Sequence, residues 1–241
     1  MGQQTDHKKF VAALKKISDR ADVKEVSRFF RVDPNADSSD NKIIGVSFGK
    51  IFKIAKQFID MPLDEIELLL ESPYYEVRMG AVSIMDFQAR DKKITPQHRK
   101  ALFDLYMRRH DRINNWDLVD RAAPFVVGGY LADKPRKVLY KLTRSLNPWE
   151  RRTAIVSTYY FIRAGDVADT FGIAEKLRKD EHDLIQKAVG WMLREVGKRV
   201  SQEVEEDFLK TRYKTMPRTA LRYAIEKFSP ERKKQYLEGC V

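Results

Sequence analysis

The spacing of apolar residues is the feature that most limits how this chain can fold. Between Val119 and Tyr130, and again between Leu184 and Val196, apolar side chains recur every three or four residues, which places them on one face of a helix. The strict alternation of apolar and polar residues that indicates a half-exposed β-strand is absent. The period therefore predicts an all-α fold of about a dozen helices, most of them roughly 10 to 18 residues long.

Several prolines stand where helices begin. Four prolines follow a Ser, Thr or Asn that can cap a helix, and proline is favoured at the first helical position because its missing N–H needs no partner there. We expect helices to begin at Ser72-Pro73, Thr95-Pro96, Asn147-Pro148 and Ser229-Pro230. Pro124 differs, because it falls inside a helical pattern and should kink that helix.

A weak internal repeat indicates how the helices are arranged. The segments SPYYEVRMGAV, NNWDLVDRAAP, NPWERRTAIVS and HDLIQKAVGWM align a polar residue at Arg78, Asp120, Arg152 and Lys187, with separations of 42, 32 and 35 residues. Repeats of this length are typical of stacked helix pairs of the HEAT or armadillo kind. The sequence thus predicts one domain, 1–241, built as a curved solenoid of HEAT-like antiparallel helix pairs with a polar loop at about 33–42; an irregular helical bundle is the alternative.

Charge and composition narrow the class of protein. With 46 Lys and Arg against 35 Asp and Glu, the formal net charge is +11, which favours a polyanionic partner such as nucleic acid, or an anionic lipid surface. The lone Cys240 and four scattered histidines predict no disulfide framework and no metal site. No apolar run reaches the ~18 residues of a membrane span, and the amino end has no apolar signal stretch. We therefore expect a cytoplasmic protein that does not enter a membrane.

One candidate for chemistry is a tryptophan and an aspartate one helical turn apart. Trp116 and Asp120 fall on the same face of the helix that Pro124 should kink. The plain alternative is a solvated aspartate beside a core tryptophan. The expected kink and the place of Asp120 in the repeat favour a functional pair.

A second candidate is a basic stripe that contains one large aromatic residue. Lys187, Trp191, Arg194 and Lys198 follow one another at i, i+4, i+7 and i+11 of a helix near 181–199. Cations suit phosphates and a flat ring suits a sugar or a base-derived cation. The alternative is a packed tryptophan among ordinary surface lysines. A further basic pair that could extend a phosphate track, or simply be solvated, follows at Arg218 and Arg222.

Three of these stretches together resemble a known family. NNWDLVDRAAP (114–124), NPWERRTAIV (147–156) and IQKAVGWMLREVGK (185–198) resemble the AlkD family of DNA alkylation repair glycosylases, and residues 43–51 and 76–82 look like its amino-terminal elements. The resemblance runs over roughly residues 25–230, and the family fold is a HEAT-like solenoid. Phe29 departs from the family pattern, because relatives often have a hydroxylated aromatic residue at this position.

The resemblance implies an activity and assigns residues to it. It implies a monofunctional glycosylase, without cofactor, that excises cationic N3- and N7-alkylated purines from double-stranded DNA, and we expect it to act as a monomer. Asp120 matches the catalytic carboxylate, Trp116 and Trp191 the aromatic pair that contacts the damaged nucleotide, and Arg152 the active-site arginine. Lys187 falls among the DNA contacts.

A second function class also accounts for part of the sequence. A non-catalytic helical-repeat scaffold that binds nucleic acid or an acidic protein would explain the charge and the repeat equally well. It would not explain Asp120, because a lone carboxylate on a basic, tryptophan-bearing surface weakens phosphate binding. That aspartate is the feature that discriminates between the enzyme and the scaffold.

Overall fold

The fold is all-α, as the apolar period predicts. The computed structural model describes residues 6–19, 23, 26–27 and 41–241. Across these ranges the secondary structure is helical, and the only β-type pairing is an isolated parallel bridge between Lys42 and Tyr74. Phe29 and residues 33–40 of the expected polar loop lie outside the described ranges.

The chain divides into two compact units, Met1–Tyr130 and Leu131–Val241. The described helices of the first unit are α1 (Asp6–Lys16), α2 (Phe48–Gln57), α3 (Leu63–Leu70), α4 (Tyr75–Ala89), α5 (Pro96–Arg108) and α6 (Trp116–Ala122), followed by a π-helical segment (Ala123–Gly128). That both units form one domain, as expected from the sequence, stays a prediction.

Helix α4 is the centre of the first unit. It packs against α2, α3 and α6, and nearly all of its side chains are buried. Arg78 lies on α4 and Asp120 on α6, so two of the four aligned repeat positions fall on helices in direct contact. Contact between equivalent helices of successive pairs is the packing that the repeat predicts within this unit.

The second unit is built around its longest helix. Its helices are α7 (Lys137–Leu142), α8 (Pro148–Val156), α9 (Tyr159–Ile162), α10 (Ala168–Leu177), α11 (Asp183–Arg199), α12 (Gln202–Lys210), α13 (Arg218–Ala224) and α14 (Pro230–Glu238), with short 3₁₀ turns at Tyr213–Thr215 and Ile225–Lys227. Helix α11 contacts α8 to α10, α12 and α13. Arg152 on α8 and Lys187 on α11, the other two aligned positions, again lie on helices that touch.

Three of the four proline dipeptides open helices as expected. Thr95 Oγ1 accepts a hydrogen bond from the His98 amide at 3.1 Å, Asn147 Oδ1 accepts one from the Trp149 amide at 2.9 Å, and Ser229 Oγ accepts one from the Arg232 amide at 3.2 Å. In each case the proline is the first helical residue. The caps therefore fix the starts of α5, α8 and α14.

The expected helix start at Ser72-Pro73 is wrong, because α4 begins two residues later, at Tyr75. The Lys42 amide donates to the Pro73 carbonyl oxygen and the Tyr75 amide donates to the Lys42 carbonyl oxygen, both at 2.9 Å. These two bonds hold Tyr74, just before the helix, in an extended conformation. Hydrogen bonding with Lys42, which is distant in sequence, therefore overrides the local preference for a helix start at Pro73.

Pro124 interrupts its helix in the way its chemistry requires. Because proline has no N–H, the carbonyl of Asp120 cannot accept the usual bond from it, and α6 ends at Ala122. The chain continues as a π-helical segment, and the Gly129 amide donates to the Pro124 carbonyl oxygen. The expected kink is thus a change of helix type, and α6 has only 7 residues rather than the expected 10 or more.

Candidate catalytic and nucleic-acid-binding site

Trp116 and Asp120 lie one turn apart on α6, as predicted. The side chain of Asn115 caps this helix and accepts a hydrogen bond from the Trp116 amide at 2.9 Å. Both Trp116 and Asp120 are partly exposed, whereas Leu118 and Val119 between them are buried. The cap therefore sets where α6 begins and presents an indole and a carboxylate on the same face.

A second carboxylate on α6 lies in the protein interior. Asp117 is 8% exposed, accepts a hydrogen bond from the Tyr75 hydroxyl, and also accepts one from the Leu118 amide at 2.9 Å. Burial raises the pKa of Asp117 to about 6; the Tyr75 bond opposes this rise and the negative charge of Asp120 adds to it. The two carboxylates are thus close enough for Asp120 to influence Asp117, and Asp117 is mostly ionised at neutral pH or above.

Asp117 was missed by the reasoning from sequence. The motif W-D-x-V-D contains both aspartates, so the residue itself was in view. What was not visible is Tyr75, which stands 42 positions earlier in the chain and has 0% exposure. Burial and the charge of Asp117 raise the pKa of the Tyr75 phenol well above its ordinary value, so this phenol remains a hydrogen-bond donor.

Arg78 fixes the segment that leads into α6. Its side chain is fully buried, Nη1 donates to the Ser72 carbonyl oxygen at 2.9 Å, and Nη2 donates to Asn41 Oδ1 at 2.6 Å and to Asn114 Oδ1 at 3.3 Å. One guanidinium thus ties together the segments that precede α2, α4 and α6. Arg78 aligns with Asp120 in the sequence repeat, but its burial makes it a support for the first unit.

Arg152 is also buried, in the second unit. It is 4% exposed, and Nη1 donates to the carbonyl oxygen of Leu184 in the first turn of α11. That bond joins α8 to the amino end of the helix that carries Lys187 and Trp191. The structure therefore places Arg152 against the start of α11.

Trp191 is partly exposed and belongs to a group of four side chains that we call the Trp191 cluster: Tyr159, Trp191, Glu195 and Arg199. Trp191 Nε1 donates to Glu195 Oε1 at 3.4 Å, and Arg199 Nε donates to Glu195 Oε2 at 2.6 Å. Arg199 Nη2 donates to the Tyr159 hydroxyl at 2.6 Å, and the Tyr159 and Trp191 ring centroids are 6.4 Å apart. Sequence spacing revealed the stripe on α11 but not the members that surround its tryptophan.

The basic residues of the predicted phosphate track divide into two groups. Lys187 pairs with Asp183 at 2.9 Å and Arg194 pairs with Glu226, so both already have an acidic partner. Lys198 and Arg222 are exposed on α11 and α13. Arg218 is exposed at the start of α13, where Nη1 donates to the Leu237 carbonyl oxygen at 2.8 Å. Pairs of this kind contribute only about 0–1 kcal/mol, so phosphate can displace the acidic partners.

The described ranges of the chain contain neither a candidate metal site nor a candidate membrane-spanning helix. Residues 6–19, 23, 26–27 and 41–241 contain no group of three or more His, Cys, Asp or Glu side chains placed to hold a metal ion. None of the helices in these ranges combines the length and the apolar character that crossing a bilayer requires.

Comparison with known proteins identifies the family of the chain. The model of a family described as DNA alkylation repair enzyme matches residues 10–228. A solved structure with the description "Predicted DNA alkylation repair enzyme from Enterococcus faecalis" superposes with a TM-score of 0.67 at 18% identity and covers 88% of this chain and 97% of that one, which shows a shared fold. No curated protein matches the sequence significantly. Because the family model spans most of its length, the chain belongs to the DNA alkylation repair enzyme family.

Proposed function

We propose that the protein is a monofunctional DNA glycosylase that hydrolyses the N-glycosidic bond of cationic N3- and N7-alkylated purines in base excision repair. The observation that carries this proposal is the pairing of a partly exposed carboxylate, Asp120, with a partly exposed indole, Trp116, on one face of α6. Membership in a DNA alkylation repair family supports it. Double-stranded DNA with an alkylated purine is the substrate, and the protein acts as a monomer.

The chemistry requires few groups because the substrate is already activated. Alkylation at N3 or N7 makes the purine cationic, so when the bond from C1′ breaks, its electron pair leaves with a neutral base. No general acid is needed. The sugar becomes oxocarbenium-like, and a carboxylate near C1′ stabilises that cation and accepts a proton from the attacking water. The products are free base and an abasic site in an intact strand.

The α6 carboxylates suit this role. Asp120 is the partly exposed one and we assign it to the sugar and the water. Asp117, with a pKa of about 6, is ionised at neutral pH and adds a second negative charge beneath it. This second charge deepens the negative potential at the surface of α6 and holds an approaching sugar cation more strongly.

The second unit supplies residues for the damaged nucleotide and the DNA backbone. Trp191, like Trp116, contributes cation–π stabilisation of the damaged base, on the order of 0.5–2 kcal/mol. Lys187, Arg194 and Lys198 hold phosphates, and Arg218 and Arg222 extend that track. The burial of Arg152 and its bond to Leu184 favour a supporting role, in which Arg152 fixes the start of α11.

The deciding experiment compares Asp120→Asn with the wild type on duplex DNA that contains N7-methylguanine. Asparagine keeps the shape and removes the charge, so release of free base should fall by about 100-fold or more while DNA affinity holds or improves. Asp104→Asn, the same change at a partly exposed ion pair on α5, is the matched control and should excise at the wild-type rate.

Three results would contradict the proposal. If Asp120→Asn releases base as fast as the wild type, the carboxylate is not catalytic. If the wild type binds DNA well but releases no base from any cationic purine lesion, the protein is a nucleic-acid-binding scaffold. Strand cleavage by the wild type would contradict the monofunctional mechanism.

A further inference from the structure

The indole N–H of Trp191 donates a hydrogen bond to a buried carboxylate, that of Glu195. Glu195 is 7% exposed, one turn after Trp191 on α11, and its Oε1 accepts the indole N–H at 3.4 Å. A buried carboxylate is costly unless it has partners, so its place beside an indole edge calls for an explanation. The predicted phosphate track does not need it, because an anion opposes phosphate.

The rest of the Trp191 cluster fixes this carboxylate in place. Arg199 Nε donates to Glu195 Oε2 at 2.6 Å, so the two carboxylate oxygens have separate partners, one on each side. Arg199 in turn donates to the Tyr159 hydroxyl at 2.6 Å, and its guanidinium carbon lies 4.8 Å from the Tyr159 ring centroid. Tyr159 is therefore the far anchor of an arrangement whose other end is the indole.

An anion at the N–H edge changes what the face of an indole attracts. The ring carries a negative face and a positive edge, and a carboxylate at the edge draws the N–H proton and pushes electron density toward the face. Attraction between that face and a cation increases, while contact with a neutral base gains little.

We propose that Glu195 is a positioning residue that makes Trp191 selective for cationic over neutral purines. The proposal rests on the proposed function, because it takes Trp191 as the residue that contacts the damaged base, and it names what distinguishes the substrate from normal DNA. Glu195 acts through Trp191. Arg199 and Tyr159 keep the carboxylate at the indole edge.

The test is a ratio of two affinities measured on a background that cannot turn over. In the Asp120→Asn protein, we compare binding to a duplex that contains N7-methylguanine with binding to the same duplex that contains guanine. Glu195→Gln keeps the size and an acceptor for the indole N–H but removes the charge. We expect it to reduce the preference for the cationic duplex by about threefold to tenfold and to leave binding of the guanine duplex unchanged or slightly tighter.

Control variants separate charge from structure. Glu206→Gln is the same change at a carboxylate that also pairs with an arginine, Arg232, but lies on α12, and it should leave the preference unchanged. Glu195→Asp keeps the charge and should restore part of the preference. Tyr159→Phe removes only the hydroxyl that Arg199 contacts; it should lower the preference about twofold, and it tests the proposal even if Glu195→Gln does not fold.

Two outcomes overturn the inference. If Glu195→Gln loses affinity for both duplexes equally, Glu195 only supports the fold. If Glu195→Gln leaves the preference for the cationic duplex unchanged, the charge of Glu195 does not affect the base. Where Glu195→Gln does not fold, an unchanged preference in Tyr159→Phe leads to the same conclusion. Failure of the proposed function gives a different result, because the wild type would then release no N7-methylguanine. Normal base release with an unaltered preference refutes the role of Glu195 alone.

Discussion

At the scale of single residues, Glu205 is a buried carboxyl whose pKa lies far above its ordinary value. This side chain on α12 is 2% exposed, lies against Gly197 of α11, and has an oxygen, Oε1, that finds no hydrogen-bond partner among the described residues. Burial raises the pKa of Glu205 to about 9, with a further rise from the charge of Glu206 and an opposing effect of Arg194. The carboxyl is therefore neutral at physiological pH.

Glu205 should make stability depend on pH. Its pKa is higher in the folded state than the ordinary 4.5, so its contribution is complete below about pH 4.5 and is lost as pH rises through about 9. Glu205→Gln has no proton to lose. Its melting temperature should rise relative to wild type by roughly 2 to 4 °C per pH unit between about pH 5 and 9. Circular dichroism melts at pH 5, 7 and 9 measure this difference in melting temperature. Glu181→Gln, at an exposed position, is the control. Parallel pH profiles for Glu205→Gln and the wild type would refute the role of Glu205.

The same scale shows what could be predicted of the site and what could not. The placement of Asp120 and Trp116 on one face of α6 could be predicted, because their spacing is a local feature of the sequence. The state of Asp117 depends on Tyr75 and on burial, and the setting of Trp191 depends on Tyr159, 32 residues away on another helix. Local periodicity carries no information about such partners, because tertiary packing brings them together.

At the scale of elements, the all-α fold and three of the four expected helix starts were predicted correctly, because apolar period and capping chemistry are local. The helix expected near 181–199 is α11, Asp183–Arg199. The lengths were less predictable: Ser157 Oγ donates to the Thr153 carbonyl at 2.6 Å and Thr158 Oγ1 to the Ile155 carbonyl at 2.7 Å, where α8 gives way to the short α9. Such side-chain bonds compete with the helix ladder.

Helix contacts can be tested with two glycines. A Cβ on Gly190 of α11 would lie 2.5 Å from Tyr223 Cβ and closer still to the Ala220 carbonyl oxygen, so this glycine lets α13 approach. Gly190→Ala should destabilise the protein by about 1–3 kcal/mol. Gly49→Ala in α2 meets no atom within 4 Å and should stabilise it by about 0.5–1 kcal/mol. Urea unfolding measures both, and a Gly190→Ala protein at least as stable as the wild type would contradict the close packing of α11 on α13.

At the scale of the whole molecule, the net charge of +11 predicts that the protein binds polyanions. It does not identify which lysines and arginines contact them. Within the second unit the structure separates the candidates by their partners. Lys187 and Arg194 must release Asp183 and Glu226 before they bind phosphate, whereas Lys198 is exposed. The spacing of the stripe on α11 could be predicted from sequence, whereas the acidic partner of Arg194, 32 residues away in the chain, is brought near only by the fold.

DNA binding should therefore respond differently to each member of the stripe. Replacement of Lys187, Arg194 or Lys198 by Ala should each reduce the slope of log affinity against log salt by about one, since each phosphate contact releases about one counterion. Lys198→Ala should cost the most affinity, because the other two cations give up an ion pair on binding. Fluorescence titrations at several salt concentrations measure this, with Lys234→Ala on α14, 73% exposed, as the control. A slope unchanged by all three replacements would place the DNA on another surface, because loss of a cation in contact with phosphate cannot leave the number of released counterions the same.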